Sequence, residues 1–342
     1  MKVGILTSGG DSPGINAFIR SLYYLLEKDN IEVYGIYRGY LGLVNNEIKK
    51  LTRINVENIS NLGGTILKTS KYNPLQKEED IARIIKNIEE NKLDVIVICG
   101  DFDTFRIAKE LCKKGLNIVA IPQTIDNDIP ETDFTLGFFS AVRNIVNSIE
   151  IIRSTNESHE RDVLVEIMGK DSGWLTVFAA LSIKVEGFFI PEIKTDLQNI
   201  ADVFIKHRLK GSNDNIILIA EGLQLDNISK SVDKDLIFPN IDRSGIVMVI
   251  AEKIKDYLPE KPKAVILSYI QRGGNPDIFD IILASRFAER IHYLIAEKKF
   301  GIYVGLKSNN LEFFSLNSIS NKIKNVSDYY IELANKIVNS TK

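Results

Sequence analysis

The sequence predicts an α/β protein of two doubly wound domains with mainly parallel sheets. Short β-branched runs at residues 3–7, 33–37, 93–99, 117–121, 163–168, 216–220 and 264–268 alternate with apolar stripes at helical spacing. That alternation is the mark of βαβ units. The length of 342 residues exceeds one average core, so two domains are expected. Several of the runs also end on Gly, Asp or Thr, at the strand ends where an open α/β sheet presents its ligands.

The elements follow in order. The run 3–7 leads into Ser-Gly-Gly-Asp-Ser-Pro-Gly-Ile-Asn at residues 8–16, which opens a helix. Paired glycines let backbone N–H groups approach an anion, and a helix N-terminus adds favourable dipole. The motif is neither a Walker nor a Rossmann fingerprint, so taken alone it reads more readily as an ordinary strand-to-helix turn than as a phosphate site. Residues 63–65 (Gly-Gly-Thr) and 69–71 (Thr-Ser-Lys) offer small donors and a cation. Ile81, Ile84, Ile85 and Ile88 make one helical stripe; Ile145, Ile149 and Ile152 make another. The run 93–99 ends in Cys-Gly-Asp-Phe-Asp-Thr at 99–104, two acids at a helix start, where either can also act as a plain cap. Glu166, Met168, Gly169 and Lys170 follow a further strand. Residues 211–215 read as a tight loop and the polar stretch 223–242 as a surface excursion.

The run 117–121 is followed by Pro-Gln-Thr-Ile-Asp-Asn-Asp-Ile at 122–129. One carboxylate there can take a proton from a hydroxyl while the other holds a metal, the division of labour phosphoryl transfer needs. The plainer alternative is an acidic loop with Asx turns. Arg161, Lys263 and Arg272 are candidate anion-binding cations; Arg272, between a strand and a Gly-Gly turn, has the fork that suits a phosphate.

A net charge of −2 leaves no broad basic field for nucleic acid. No run is long enough to span a bilayer, and no signal-peptide core is expected ahead of the first strand. Two cysteines, Cys99 and Cys112, and three scattered histidines speak against disulfide frameworks and nitrogen or sulfur metal cages. Buried reduced thiols and a cytoplasmic location are expected, with any metal a hard, oxygen-bound ion such as Mg²⁺.

The order of these motifs resembles the phosphofructokinase family: residues 8–16, 63–65, 124–128 (Thr-Ile-Asp-Asn-Asp), Met168-Gly169, 220–222 (Ala-Glu-Gly) and 271–274 (Gln-Arg-Gly-Gly). The resemblance covers nearly the whole chain. It implies an active site in the cleft between a donor domain at 1–138 plus 271–307 and a sugar domain at 139–270 plus 308–342. It further implies Mg²⁺-dependent phosphoryl transfer from ATP or pyrophosphate to O1 of fructose 6-phosphate. Asp126 would be the base, with Thr124 and Lys170 beside the transferring group; Asp101 and Asp128 would hold Mg²⁺. Gly10, Tyr40, Lys71, Asp101, Phe102, Asp103 and Thr104 would border the donor. Met168, Gly169, Glu221, Tyr269 and Arg272 would hold the sugar phosphate, joined by Arg161 and Lys263 from a neighbouring subunit of a dimer or tetramer.

The chain departs from the family pattern in places. Phe102 reads as an inserted residue, which puts Asp103 where ATP users carry glycine and pyrophosphate users aspartate. Gln123 stands where pyrophosphate users carry lysine and many ATP users glycine. Lys170 and Lys263 replace arginines, keeping the charge but losing the bidentate fork. Tyr269 replaces a histidine. Arg20, Arg53, Arg153 and Glu192 match effector positions, but Tyr24 replaces a further arginine, so effector control is expected to be reduced. ATP is the favoured donor, and the alternatives are a pyrophosphate-dependent enzyme, a weakly catalytic regulatory paralogue, or more remotely an NAD or lipid kinase.

Overall fold

The computed structural model describes residues 1–225 and 245–340, so most of the expected excursion at 223–242 lies outside the described residues. The chain divides into two compact units, Met1–Ala141 with Arg272–Lys324 and Val142–Gln271 with Asn325–Lys342.

The first unit begins β1 (Lys2–Ser8), α1 (Ile15–Lys28), β2 (Glu32–Ile36), α2 (Gly39–Val44), β3 (Ile48–Lys50) and α3 (Arg53–Val56). It continues with α4 (Glu78–Asn91), β4 (Val95–Gly100), α5 (Phe102–Lys113) and β5 (Ile118–Pro122). α6 (Phe138–His159) leads into the second unit, which holds β6 (Val163–Ile167), α7 (Trp174–Ser182), β7 (Gly187–Phe189) and α8 (Leu197–Leu209). There follow β8 (Ile216–Ala220), α9 (Ile246–Ile254) and β9 (Lys263–Ile266). The chain then returns to the first unit with α10 (Ile278–Ala296), β10 (Ile302–Lys307) and β11 (Asn310–Ser315), and ends in the second with α11 (Asp328–Ser340).

The seven-stranded sheet of the first unit has the order β11-β10-β5-β4-β1-β2-β3. Its five central strands are parallel and its two edges, β3 and β11, antiparallel. Alternate residues of β4 show why the runs are continuously apolar. Val95, Val97 and Cys99 enter one core with α1 and α10, while Ile96 and Ile98 enter another with α4 and α5. A strand buried on both faces cannot alternate with polar residues. The stripe on α4 works as its spacing predicts: Ile84 and Ile88 are buried and Arg83, Lys86 and Glu90 exposed. The chain leaves β1 toward β2 on one side and has β4 on the other. The strand order therefore reverses at β1, and the carboxyl ends of β1 and β4 form the crevice where such sheets bind ligands.

In the second unit the order β7-β8-β6-β9 is wholly parallel. Its core gathers Leu164, Ile217 and Ile219 with Phe204 and Ile250.

Two expectations are corrected. Residues 308–324, expected with the sugar domain, belong to the first unit, because β11 pairs with β10 from Ile302↔Ser315 to Lys307↔Asn310. Cys99 is fully buried, and burial pushes its thiol up; Cys112 is only partly buried, its thiol raised by desolvation to about 11.

Candidate active site

The glycine turn after β1 is bound into the crevice by its neighbours. The Gly9 amide donates to Ser70 O at 3.2 Å, and Thr69 Oγ1 donates to Gly9 O at 2.9 Å. Asn16, in the first turn of α1, donates to the carbonyls of Leu62 and Gly63 at 3.0 and 3.2 Å and accepts from the Ile66 amide at 2.9 Å. Gly9 has φ 86°, and a Cβ there would stand 2.8 Å from the Asp101 carboxylate. At Gly10 a Cβ would come within 2.2 Å of Arg272 Nη1. Only a turn without side chains lets these two charged groups approach the backbone so closely.

Gln123, fully buried at the end of β5, braces the same turn. Its Nε2 donates to Gly10 O at 2.9 Å and to Ser12 Oγ at 3.0 Å, while Ser12 Oγ donates to Leu136 O at 3.0 Å. Gln123 Oε1 and Arg272 Nε are buried without a hydrogen-bond partner among the described residues. A buried polar atom with no partner is costly, and a bound polar group would relieve it.

The acidic loop follows at once. Thr124, Asp126 and Asp128 are 5%, 2% and 3% exposed. The Asp126 amide donates to Thr124 Oγ1 at 3.1 Å, and Thr135 Oγ1 donates to Thr124 O at 2.6 Å. Asn127, at φ 52°, donates through Nδ2 to Asp133 O at 3.1 Å and accepts from the Thr135 amide at 3.0 Å. An asparagine tolerates that left-handed backbone because its short amide bonds locally. Lys324 meets the loop from far along the chain. Its amide donates to Asp128 O at 2.8 Å, and its Nζ to Thr132 O at 2.6 Å and Asp133 O at 2.9 Å. Desolvation lowers its ammonium to about 7, against the opposing pull of Asp133 and Asp128.

Asp101 caps α5, accepting from the Thr104 amide at 3.1 Å and Thr104 Oγ1 at 2.8 Å. Phe102 opens that helix with its ring packed into the core at 7% exposure. Asp103 lies on the exposed side, 4.0 Å from Arg106 Nη1. Tyr40, expected beside the donor, is instead fully buried, its hydroxyl donating to Thr104 O at 2.9 Å. It supports the α5 turn from beneath, and burial raises its phenol well above the usual range. Lys71 is exposed on the loop whose Ser70 carbonyl holds Gly9.

In the second unit Glu221 follows β8 and receives the amides of Gly169 and Lys170 at 3.2 and 2.7 Å. The Met168 amide donates to Gln271 Oε1 at 3.0 Å. Met168, Gly169, Lys170 and Glu221 are thus brought together at the carboxyl ends of β6 and β8. Tyr269 is 77% exposed, Lys263 exposed and Arg161 partly buried. Arg272, expected with the sugar residues, stands against Gly10 in the first unit.

The effector-like residues are already partnered. Arg20 donates to Glu57 O at 3.2 Å and Arg53 to Glu27 at 3.1 Å, and both lie over the Tyr24 ring. Arg153 donates to Lys184 O, and Glu192 accepts from the amides of Gly173 and Val326, each at 3.0 Å.

Among the described residues no cluster of three or more acid, His or Cys side chains stands ready for a metal. Mg²⁺ is commonly held by one or two carboxylates plus water and substrate phosphates, and the oxygen-only set of Asp101 and Asp128 fits that habit. Lys324 is the residue at the acidic loop that the sequence does not point to. The motifs that hold Gln123 and Arg272 do not reveal their contacts with the glycine turn, and Lys324 lies in no motif.

The phosphofructokinase family model matches residues 2–295. The chain belongs to the phosphofructokinase family. It is 36% identical over 335 residues to a pyrophosphate–fructose 6-phosphate 1-phosphotransferase of Dictyoglomus thermophilum, covering 97% of each chain. It is 34% identical over 310 residues to an ATP-dependent 6-phosphofructokinase of Listeria monocytogenes, covering 91% of each. Among solved structures it superposes on the T-state phosphofructokinase of Pichia pastoris with a TM-score of 0.80 at 26% identity. That match covers 92% of this chain and 35% of the Pichia one. The pyrophosphate-dependent phosphofructokinase of Marinobacter aquaeolei matches with a TM-score of 0.81 at 19% identity, covering 96% of this chain and 86% of that one, a likeness of fold. Phosphofructokinases using ATP and using pyrophosphate thus both stand among the relatives. Among the described residues no helix is long and apolar enough to cross a membrane.

Proposed function

We propose that this phosphofructokinase transfers a phosphoryl group to O1 of fructose 6-phosphate, with ATP as the donor. The observation that carries the reading is the pair of buried acids, Asp126 and Asp128, on one tied loop beside the glycine turn. Asp126 would take the proton of the sugar 1-hydroxyl as the bond to phosphorus forms. Thr124 and Lys170 would steady the transferring group, and Gly10, Lys71 and the Asp101–Thr104 turn would border the donor. Mg²⁺ held by Asp101 and Asp128 would neutralise the donor phosphates. Glu221, Met168 and Gly169 would hold the sugar phosphate, with Arg161 and Lys263 supplied by a second copy in a dimer or tetramer. Placement against Gly10 moves Arg272 from the sugar to the donor phosphates in this reading.

ATP is favoured because the Gln123 position holds a neutral amide, its nitrogen occupied by Gly10 and Ser12, rather than a lysine that would meet a compact, highly charged pyrophosphate. Asp103 favours the second reading, pyrophosphate, since a carboxylate in the first turn of α5 opposes an extra phosphate nearby. Purified protein with fructose 6-phosphate and Mg²⁺, given ATP or pyrophosphate in parallel, separates them. Turnover with ATP supports the first; turnover with pyrophosphate alone supports the second; none with either overturns both and favours the binding paralogue.

A further inference from the structure

Lys324 is the last residue of the first unit's returning segment, nearly 200 positions from the loop it touches. Leu316 and Ile319 are buried in the core that packs α5, and they anchor the segment that carries Lys324 back to the acidic loop. There it makes three donor contacts with a single stretch of backbone: its amide to Asp128 O, and its Nζ to Thr132 O and Asp133 O. Asp133 O also receives Asn127 Nδ2, so the ammonium and the asparagine between the two acids share one acceptor. We propose that Lys324 is a positioning residue for the transfer loop, clamping residues 128–133 so that the carboxylates of Asp126 and Asp128 keep their presentation. This rests on the reading of those acids as base and metal ligand. Lysine is suited to the task because a compact ammonium with three donors can bridge two carbonyls at once. A methionine of similar length fills the space and donates nothing.

The test compares wild type, Lys324→Met and Lys324→Arg. Below the unfolding range, Lys324→Met is expected to lower kcat by about 10- to 100-fold with the KM for fructose 6-phosphate within about twofold, the pattern of lost positioning. Lys324→Arg should recover most of the rate, because a guanidinium can reach the same carbonyls. A purely structural role would lower the thermal midpoint and leave kcat of the folded enzyme unchanged, and that result overturns the proposal. Wild type inert with both donors would count against the functional reading alone, since amide hydrogen exchange reads the clamp without turnover. The amides of Asp126 and Thr135 should exchange about tenfold faster in Lys324→Met while that of Thr104 does not change. Unchanged exchange at Asp126 and Thr135, or equal acceleration at all three, overturns the clamp.

Discussion

At the residue scale, Phe102 changes meaning between sequence and structure. By sequence it is an inserted residue expected to border the donor. Its ring instead lies in the core at 7% exposure, and Asp101, the preceding residue, remains the helix cap. Phe102→Ala is therefore expected to cost about 3 kcal/mol of stability, the usual penalty for emptying a buried aromatic site. The KM for ATP should stay within about twofold of wild type. A tenfold fall in that KM, with stability intact, would return Phe102 to the ligand surface. The sequence marks Gln123 as a donor determinant, but its work as a brace depends on Gly10 and Ser12, over 100 positions away. Replacing it with leucine removes both donated bonds and should raise the donor KM more than that of fructose 6-phosphate; equal effects on the two would count against the brace.

At the element scale, Asp280 near the start of α10 secures the entry to α6. It accepts from the amides of Gly137 and Ser140, each at 2.8 Å, and from Ser140 Oγ at 2.5 Å. An acid at a helix N-terminus is ordinarily favourable. Here desolvation dominates, and the carboxyl is raised to about 6 despite those bonds. The folded state thus holds this proton more tightly than the unfolded chain does. The resulting stabilisation is complete below about pH 4 and is lost as the pH rises through about 6, on the order of 3 kcal/mol in all. Unfolding measured from pH 4 to pH 7 should show this loss in wild type and not in Asp280→Asn. An unchanged difference between the two proteins across that window would refute it. The sequence gives only an acid two residues into a helical pattern; its role depends on a helix more than 100 residues earlier.

At the scale of the whole molecule, the legible parts are those whose physics is local. Central strands buried on both faces had to be continuous apolar runs, and the glycine and acid strand ends kept their order along the chain. β3, β7, β10 and β11 are not among the runs the sequence marks as strands. β3 and β7 are three residues each, and β11, at the sheet edge, is largely exposed, so it carries no buried run to read. Missing β11 also misplaced residues 308–324, and with them Lys324. Tyr40 was misread for a related reason: a tyrosine in a Gly-Tyr-Leu-Gly stretch carries no signal of whether its hydroxyl meets a ligand or the Thr104 carbonyl.

The acidic loop as the centre of transfer is tested most directly by Asp126→Asn. Phosphorus NMR would follow the fructose 6-phosphate mixture with Mg²⁺ and whichever donor wild type uses, alongside calorimetric binding of the sugar phosphate. Bisphosphate formation is expected to slow by about 10²- to 10⁴-fold, the range for loss of a general base, with sugar-phosphate affinity retained. Bisphosphate appearing at the wild-type rate would contradict it.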